Sequence, residues 1–340
     1  MKQSQSILFL TRLYHPHIGG VEKHVEEVAS ALLKKGKSVT VVTEQYSKGL
    51  PVFERRKGIE IWRIPVQSDT YAKKFFIWKW ILLHLNLFFK ADIIHIHDVF
   101  YWIIPYRLFL PTKRIFITFH GYEGFPVKIS WKIQRKLAET LTNGNICVGD
   151  FMKKWYSTVP TSVIYGAVRL IDKKYKQQEQ SAVFFGRLDS QTGIPEYVKA
   201  YRKIKEKYPK FRFTIVGEGE LKKKIPKDIK IKKFSLDISR YIGENRFIFV
   251  SRYLSMLEAL IQKKEILAVY NSPIMKDYLL MSPFAKYIAI GATGEEIADH
   301  VIKSLETKNT YRRIEEGFQW AKKQTWEKIT TVYLKLWKFE

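Results

Sequence analysis

The feature that most constrains the fold is residues 6–35, where an apolar run, a glycine loop and a helix-period pattern follow one another. The apolar run covers residues 7–10, the loop ends in Gly19 and Gly20, and apolar residues then recur at intervals of three and four from Val21 onward. This order places backbone N–H groups and the positive end of a helix dipole at the carboxyl end of a strand, which is a candidate anion site. An ordinary βα loop with convenient glycines explains the same residues equally well.

Short apolar, β-branched runs recur along the whole chain, and helical patterns separate several of them. Most runs are too apolar to alternate, as expected of parallel strands that are covered on both faces. A length of 340 residues suits two domains. We therefore predict an α/β fold of two doubly wound halves, in which ligands bind outside the carboxyl ends of the strands. The predicted strands cover residues 38–44, 59–65, 92–97, 114–120 and 162–168 in the first half, and 182–188, 212–217, 229–234, 247–251, 266–270 and 286–290 in the second.

The domain boundaries are predicted from changes in composition. A charged stretch at residues 172–180 has the character of an exposed linker. We predict one domain over residues 1–170, a second over residues 171–310, and closing helices over residues 311–340 that pack back toward the first domain.

The charge balance indicates an anionic partner. The chain has 59 Lys and Arg against 33 Asp and Glu, a formal net charge of +26. Nucleic acid, an acidic membrane surface and a phosphorylated substrate each fit this excess. The single cysteine, Cys147, excludes an internal disulfide and suits a reducing compartment, and its apolar neighbours indicate a buried structural thiol. We see no secretory signal pattern and no uncharged run long enough to span a bilayer.

Polar residues follow two predicted strands of the first half. His95, His97 and Asp98 end one strand, and His120 and Gly121 end another. Imidazole and carboxylate groups are metal ligands, but no compact third ligand is indicated and the chain contains no Asp-x-Asp. The pattern therefore favours a polar cleft edge over a metal site.

Three segments of the second half also carry candidate site residues. Gly186 and Arg187 end a strand, where an arginine is placed to clamp a phosphate, although a surface ion pair is the simpler interpretation. Gly217 and Glu218 follow the next strand, where glycine permits close approach to a ligand. Glu258 lies in an otherwise apolar helix pattern and needs a hydrogen-bond partner such as a ribose diol, unless it is partly exposed.

Together, the order and spacing of these segments resemble the GT-B glycosyltransferases, in particular the retaining glycosyltransferase family 4. The resemblance covers nearly the whole chain, and Trp326 stands where the final helices of that family usually carry a tryptophan. The resemblance implies two Rossmann-like domains facing an interdomain cleft, with the acceptor bound by the first and the nucleotide sugar by the second. The segments that carry it are PHIGGVEKHV, HIHD, TFHG, VIYGAV, FFGRLDSQTGIPEYVKAY, IVGEGE, SRYLSMLEAL and ILAVYNSP.

The same resemblance implies a reaction and its residues. Such enzymes transfer a sugar from a nucleotide-diphosphate donor with retention, without a metal or a cofactor. His120 is expected near the anomeric centre, Arg187 on the diphosphate leaving group and Glu258 on the ribose hydroxyls. The remaining expected donor-binding residues are Gly19, Gly20, Gly186, Gly217, Glu218, Arg252, Tyr253 and Leu254, and His17, Asp98 and Gly121 are expected on the acceptor side of the cleft.

Two positions depart from the family pattern. Thr192 stands where the family has a lysine, and Val250 stands where a Glu-x7-Glu motif ending at Glu258 needs its first carboxylate. We hypothesise that Arg252 partly replaces the missing lysine charge. The departures also leave open a catalytically silent GT-B-like binding subunit.

Residues 71–90 alternate aromatic and aliphatic side chains with lysines. This composition suits a basic segment lying at an anionic lipid surface, although a buried helix of the first domain is also consistent with it. The basic-aromatic theme returns at residues 153–156. We predict a cytoplasmic protein that is peripherally attached to the inner face of the plasma membrane and acts on a lipid-linked or cell-surface glycan. No specific nucleic-acid partner is expected, because the lysines are scattered and no recognised nucleic-acid motif is present.

Overall fold

Apolar runs and helical patterns alternate in the structure as they do in the sequence. The computed structural model describes residues 5–66, 72–107, 109–171, 173–234, 238–307 and 311–339. Tyr71, Asp172 and residue 310, which bound predicted segments, lie outside the described residues. The chain divides into one unit of Met1–Ile164 with Trp326–Glu340 and a second unit of Tyr165–Thr325.

The first unit contains an eight-stranded sheet within its described residues, in the order β3-β4-β2-β1-β5-β6-β7-β8. All neighbouring strands pair in parallel except β3 and β4, which form an antiparallel edge. The central strands are apolar on both faces because helices cover them, as the burial of Phe9 and Ile94 shows. The strands are β1 (Ser6–Thr11), β2 (Ser38–Glu44), β3 (Phe53–Arg56), β4 (Ile59–Ile64), β5 (Ile93–His97), β6 (Arg114–Phe119), β7 (Asn145–Val148) and β8 (Ser162–Ile164).

Six helices accompany this sheet in the described part of the first unit. The apolar residues of the first helix recur on one face, and its buried Val25, Val28 and Leu32 follow that spacing. The last helix of the chain packs against the first one. The helices are α1 (Gly20–Lys34), α2 (Ala72–Leu83), α3 (Leu85–Lys90), α4 (Ile129–Thr140), α5 (Phe151–Tyr156) and α12 (Trp326–Leu336).

The second unit has a six-stranded, fully parallel sheet in the order β11-β10-β9-β12-β13-β14 within the described residues. Its core includes Phe184, Tyr197 and Phe249. The strands are β9 (Gln178–Phe185), β10 (Arg212–Val216), β11 (Lys230–Lys232), β12 (Asn245–Phe249), β13 (Glu265–Val269) and β14 (Ala289–Gly291). The helices are α6 (Ile194–Lys207), α7 (Ile238–Glu244), α8 (Tyr253–Leu260), α9 (Pro273–Leu280), α10 (Gly294–Thr307) and α11 (Tyr311–Lys322).

The predicted α/β fold with two parallel sheets is confirmed. Each predicted strand has a counterpart, but β3 was not predicted, and β9 begins at Gln178 inside the predicted linker. The division also differs from the predicted domains, because α12 belongs to the first unit whereas α11 belongs to the second. Gly317 of α11 explains the latter, since it lies against Leu260 and Tyr287 of the second unit.

Cys147 is fully buried, as predicted for a structural thiol. Burial raises the pKa of its thiol to about 12, so the reactive thiolate is not populated at neutral pH. Among the described residues, no helix combines the length and the hydropathy that crossing a bilayer requires.

Candidate functional site

The loop before α1 forms the first part of the candidate site in the first unit. Gly19 has an extended backbone and precedes the first helical residue, Gly20. A Cβ atom on Gly20 would meet nothing within 4 Å, so this face of the helix N-terminus is open. A Cβ atom on Gly19 would lie 2.2 Å from Glu22 Oε2, because the Glu22 side chain folds back over it. The Glu22 carboxylate is held by His17, whose Nδ1 lies 2.8 Å from Oε1.

The carboxyl ends of β5 and β6 form the second part. Asp98 follows β5 with a left-handed backbone, φ 62°. Its Oδ1 accepts a hydrogen bond of 3.0 Å from the backbone N–H of His120, which follows β6. Arg135 of α4 donates to the carbonyl oxygen of Gly121. The structure thus joins three predicted residues, Asp98, His120 and Gly121, at one edge of the sheet, while no described contact joins His17 to them.

Four histidines cluster at this edge, and the sequence did not predict their association. His24 of α1 lies with its ring centroid 4.8 Å from that of His120. His95 and His97 are two residues apart on β5 and therefore point to the same face. The Nδ1 atom of His97 lies 2.8 Å from Nε2 of His120.

Helix α12 closes the cluster from the other end of the sequence. Tyr333 Oη lies 2.8 Å from His24 Nε2 and 2.9 Å from Thr118 Oγ1. Trp337 donates its indole N–H to His95 Nδ1 at 3.1 Å, and His95 Nε2 lies 2.7 Å from Thr118 Oγ1. These bonds form a continuous chain from α12 through the sheet to α1.

Burial keeps the cluster neutral. Desolvation lowers the pKa of His24, His95 and His97 well below the ordinary histidine value. It lowers the pKa of His120 to about 3. Because all four rings are unprotonated at neutral pH, they act through hydrogen bonds rather than through charge.

The site candidates of the second unit begin after β9. Gly186 has φ 148°, a conformation that favours glycine. Arg187 is 69% exposed, and its Nε lies 3.3 Å from Asp189 Oδ2. An ion pair this exposed contributes little, so the guanidinium remains available to an anionic ligand.

Gly217 and Glu218 follow β10. A Cβ atom on Gly217 would lie 1.9 Å from the carbonyl oxygen of Gly186, so glycine is required by the packing of two protein loops. The sequence interpretation, in which glycine admits a ligand here, therefore has a different physical reason. The Leu188 N–H donates to the Glu218 carbonyl at 2.9 Å, and the Glu218 side chain is exposed.

Helix α8 carries the remaining candidates. Arg252 is its N-cap residue, and its guanidinium lies 5.9 Å from the centroid of the Tyr278 ring. The Tyr278 hydroxyl accepts the N–H of Tyr253 at 2.8 Å, so this amide is not free for a phosphate as the sequence predicted. Leu254 is half-buried, and Glu258 is buried with 9% exposure on the same helix.

Comparisons with known proteins agree with this architecture. Residues 18–170 match the profile of Glycosyltransferase Family 4. Whole-chain likeness extends to sucrose-phosphate synthase from Thermosynechococcus elongatus, with a TM-score of 0.76, 13% identity and 98% of each chain covered. The Anabaena protein Alr3699/HepE in complex with UDP and glucose gives a TM-score of 0.74 at 13% identity, over 99% of this chain and 100% of that one. The chain is a GT-B fold protein that resembles glycosyltransferase family 4.

Curated relatives of this GT-B protein carry a more specific description. It is 24% identical over 237 residues to one of the subunits of the human phosphatidylinositol N-acetylglucosaminyltransferase, covering 64% of this chain and 49% of the relative. The gpi3 subunit of the same transferase from Schizosaccharomyces pombe is 23% identical over 226 residues, covering 61% and 49%. The chain therefore spans about half the length of the curated relatives that it matches.

The two departures from the family pattern lie inside the protein. Thr192 is buried, and its hydroxyl donates to the carbonyl oxygen of Asp189 at 2.8 Å. Val250 is fully buried, and its carbonyl oxygen accepts from Tyr197 at 2.9 Å. Neither side chain of this GT-B protein offers the charge that the family pattern has at its position.

Among the described residues of the GT-B protein, no group of three or more His, Cys, Asp and Glu side chains has an arrangement that holds a metal ion. The two nitrogens of His95 are already engaged by Thr118 and Trp337. Sequence analysis missed His24, Tyr333 and Trp337. The only local signal was the position of His24 on the buried face of α1, where a polar residue needs a partner.

Proposed function

We propose that this chain transfers a sugar of the hexose type from a nucleotide-diphosphate donor to a lipid-linked or cell-surface glycan, with retention and without a metal or cofactor. The observation that carries the proposal is the presence of polar groups at the carboxyl ends of strands in both units of a GT-B fold. Arg187 neutralises the departing diphosphate, and Glu258 accepts hydrogen bonds from the ribose. His120, a neutral imidazole, donates a hydrogen bond to the donor sugar. The match to glycosyltransferase family 4 supports this assignment.

The relatives suggest which donors to test first. The curated relatives are named as N-acetylglucosaminyltransferase subunits, and one structural neighbour is described in complex with UDP and glucose. UDP-N-acetylglucosamine and UDP-glucose are therefore the first probes. We expect one of them to raise the melting temperature of the full chain and to be hydrolysed slowly without acceptor. Absence of both effects across a panel of nucleotide sugars contradicts the proposal.

The role of Arg187 has a matched control. Loss of a charge-assisted hydrogen bond to phosphate costs about 1.5–3 kcal/mol, so Arg187→Ala is expected to raise the donor Kd by about 10- to 100-fold. Arg212 is also exposed, but it begins β10 at the opposite edge of the same sheet. Arg212→Ala should therefore leave the donor Kd unchanged. Equal effects of the two variants indicate only a general loss of positive charge.

Arg252 is proposed to supply part of the charge that a lysine at position 192 gives the family. Its half-buried side chain at the N-cap of α8 supports this, since it is held near the helix N-terminus. Calorimetry of Arg252→Ala with the donor should show weaker binding. An unchanged Kd rules out this role of Arg252.

A second candidate function is a catalytically silent binding subunit. The burial of Val250 and Thr192 favours it, because the second unit lacks a carboxylate and a cation that family members use. The curated relatives are also named as subunits of a larger transferase. Stabilisation by a nucleotide sugar without hydrolysis or transfer selects this candidate over the enzyme.

We further propose that the first unit attaches to the inner, cytoplasmic face of the plasma membrane through α2. One face of this helix is buried through Ile77, Trp80 and Ile81, and the other exposes large apolar side chains. The buried face fits the alternative interpretation of a domain helix, while the exposed face suits lipid contact because lysines flank it. The exposed residues are Phe75 (68%), Phe76 (60%), Leu82 (54%) and Leu83 (71%), with Lys74 and Lys79 also exposed.

Vesicle sedimentation tests this attachment. We expect the chain to sediment with phosphatidylglycerol vesicles but not with phosphatidylcholine vesicles, and high salt should release it. The double variant Phe75→Ser with Leu83→Ser should reduce binding, whereas Leu280→Ser, an exposed leucine of the second unit, should not. Equal binding by all three proteins refutes a role for α2. Tight, salt-dependent binding to RNA or DNA instead assigns the charge excess to nucleic acid.

A further inference from the structure

The contact between His97 and His120 contains information about where the protons of the two rings lie. His97 Nδ1 and His120 Nε2 are 2.8 Å apart, a hydrogen-bond distance. A neutral imidazole has one N–H and one bare nitrogen, so one ring must donate and the other must accept. Both rings are neutral because burial opposes their protonation.

The other nitrogens of the two rings decide which ring donates. His97 is 1% exposed, and its Nε2 has no hydrogen-bond partner among the residues that the structure describes. If His120 donated, the proton of His97 would sit on this buried Nε2 as an N–H without an acceptor. If His97 donates from Nδ1, Nε2 carries only a lone pair. Buried N–H groups without acceptors are rarer in folded proteins than acceptors that lack a donor.

We infer that His97 is a positioning residue that donates from Nδ1 to His120 Nε2 and so holds His120 as the tautomer protonated at Nδ1. The inference rests on the proposed function for its consequence. His120 is half-buried, and within the described part of the chain its Nδ1 has no hydrogen-bond partner. The tautomer therefore presents one N–H to a ligand, which suits an oxygen atom of a sugar hydroxyl group in the donor.

A second chain of hydrogen bonds gives an internal reference with the opposite tautomer. The Trp337 indole is a donor only, so the bond to His95 Nδ1 requires that this nitrogen be bare. His95 consequently carries its proton on Nε2 and donates it to Thr118 Oγ1. The Thr118 proton then goes to Tyr333 Oη, and the Tyr333 proton goes to His24 Nε2.

The test is histidine ¹⁵N NMR on the full chain without any donor, since long-range couplings distinguish the two neutral tautomers. The wild-type protein should show His120 protonated at Nδ1 and His95 protonated at Nε2, with signals assigned by His120→Gln and His95→Gln. Protonation of His120 at Nε2 in the wild-type protein overturns the inference.

Two variants of position 97 differ only in the direction of the hydrogen bond. An asparagine amide can donate from the place of Nδ1, so His97→Asn should keep the His120 tautomer and rescue donor use. An aspartate accepts there, so His97→Asp should move the His120 proton to Nε2, raise its pKa and lower kcat by about 10-fold or more. An unchanged His120 tautomer in His97→Asp refutes control by His97, provided that the His95 signal shows an intact fold.

The two layers of the inference fail separately. If the His120 tautomer responds to His97 as expected but no nucleotide sugar is ever bound, the positioning role stands and the proposed function fails. If transfer occurs but His97→Asp matches His97→Asn in both tautomer and kcat, the proposed function stands and the positioning role fails.

Discussion

Lowering the pH should unfold the first unit unusually steeply, because three of its histidines are buried in neutral form. His24, His95 and His97 are 4%, 0% and 1% exposed. Their pKa values in the folded state lie well below the ordinary value, so the folded state stays unprotonated while the unfolded chain takes up protons. Stability is therefore fully present above the ordinary histidine pKa and is lost as the pH falls below it.

The magnitude follows from proton linkage. Between about pH 6.5 and pH 5.5, each histidine that protonates only in the unfolded state costs about 1 kcal/mol of unfolding free energy. Three such groups cost about 3 kcal/mol, and His120 adds to this sum. Because whole domains are stable by about 5–15 kcal/mol, this loss is a large fraction of the total.

Urea unfolding followed by tryptophan fluorescence measures this effect. Of the nine tryptophans, only Trp320 lies in the second unit, so fluorescence reports mainly on the first. His95→Leu should reduce the dependence of the unfolding free energy on pH by about a third, because one of three linked protons is removed. The control His17→Gln, whose histidine is 39% exposed, should keep the full dependence. A pH dependence that survives His95→Leu unchanged refutes the reasoning.

Three further outcomes are expected. Gly20→Ala should fold with unchanged thermal stability, because its Cβ meets nothing within 4 Å, yet calorimetry should show weaker donor binding if a ligand lies against this face. Gly193→Ala should lower the melting temperature strongly, since φ is +72° and the new Cβ would lie 2.3 Å from Val269 Cγ1. Burial lowers the pKa of Lys264 to about 8, so the folded state releases its proton first. The unfolding free energy should therefore rise between about pH 8 and pH 10, by up to about 1.4 kcal/mol per pH unit, and Lys264→Met should remove this rise in urea titrations.

Local patterns in the sequence were sufficient for most of the fold. Runs such as residues 38–44 and 212–217 became β2 and β10 within one residue, because a buried parallel strand needs a continuous apolar run. The strand β3 was not foreseen. It pairs antiparallel at the edge of the sheet, and its charged residues Glu54 and Arg55 gave no apolar signal.

The candidate site was only partly predictable, for two physical reasons. The partners of the histidine cluster are remote in sequence, since Tyr333 bonds to His24 across 309 positions, and no local pattern encodes such a contact. Glycine has more than one use, and the sequence cannot tell them apart. Gly20 faces open space, whereas Gly217 makes room for the backbone of Gly186.

The distribution of charge in the two units suggests where donor phosphates are neutralised. A helix N-terminus that begins with two glycines suggests that α1 carries this task, but the Glu22 carboxylate lies against Gly19 and is held there by His17. His120 adds no charge, because burial lowers its pKa to about 3. The first unit therefore supplies hydrogen bonds to the donor, and the arginines of the second unit, Arg187 and Arg252, supply the positive charge.

This division of roles predicts the effect of Glu22→Gln on donor binding. A negative charge near the N-terminus of α1 opposes a phosphate there by about 0.3–1 kcal/mol. Removing it should therefore strengthen donor binding by about two- to five-fold, measured by calorimetry at low salt. Glu60→Gln, a carboxylate of β4 that pairs with Arg55 on the surface, should leave donor affinity unchanged. Weaker binding by Glu22→Gln contradicts the argument, because it means that the carboxylate itself contacts the donor.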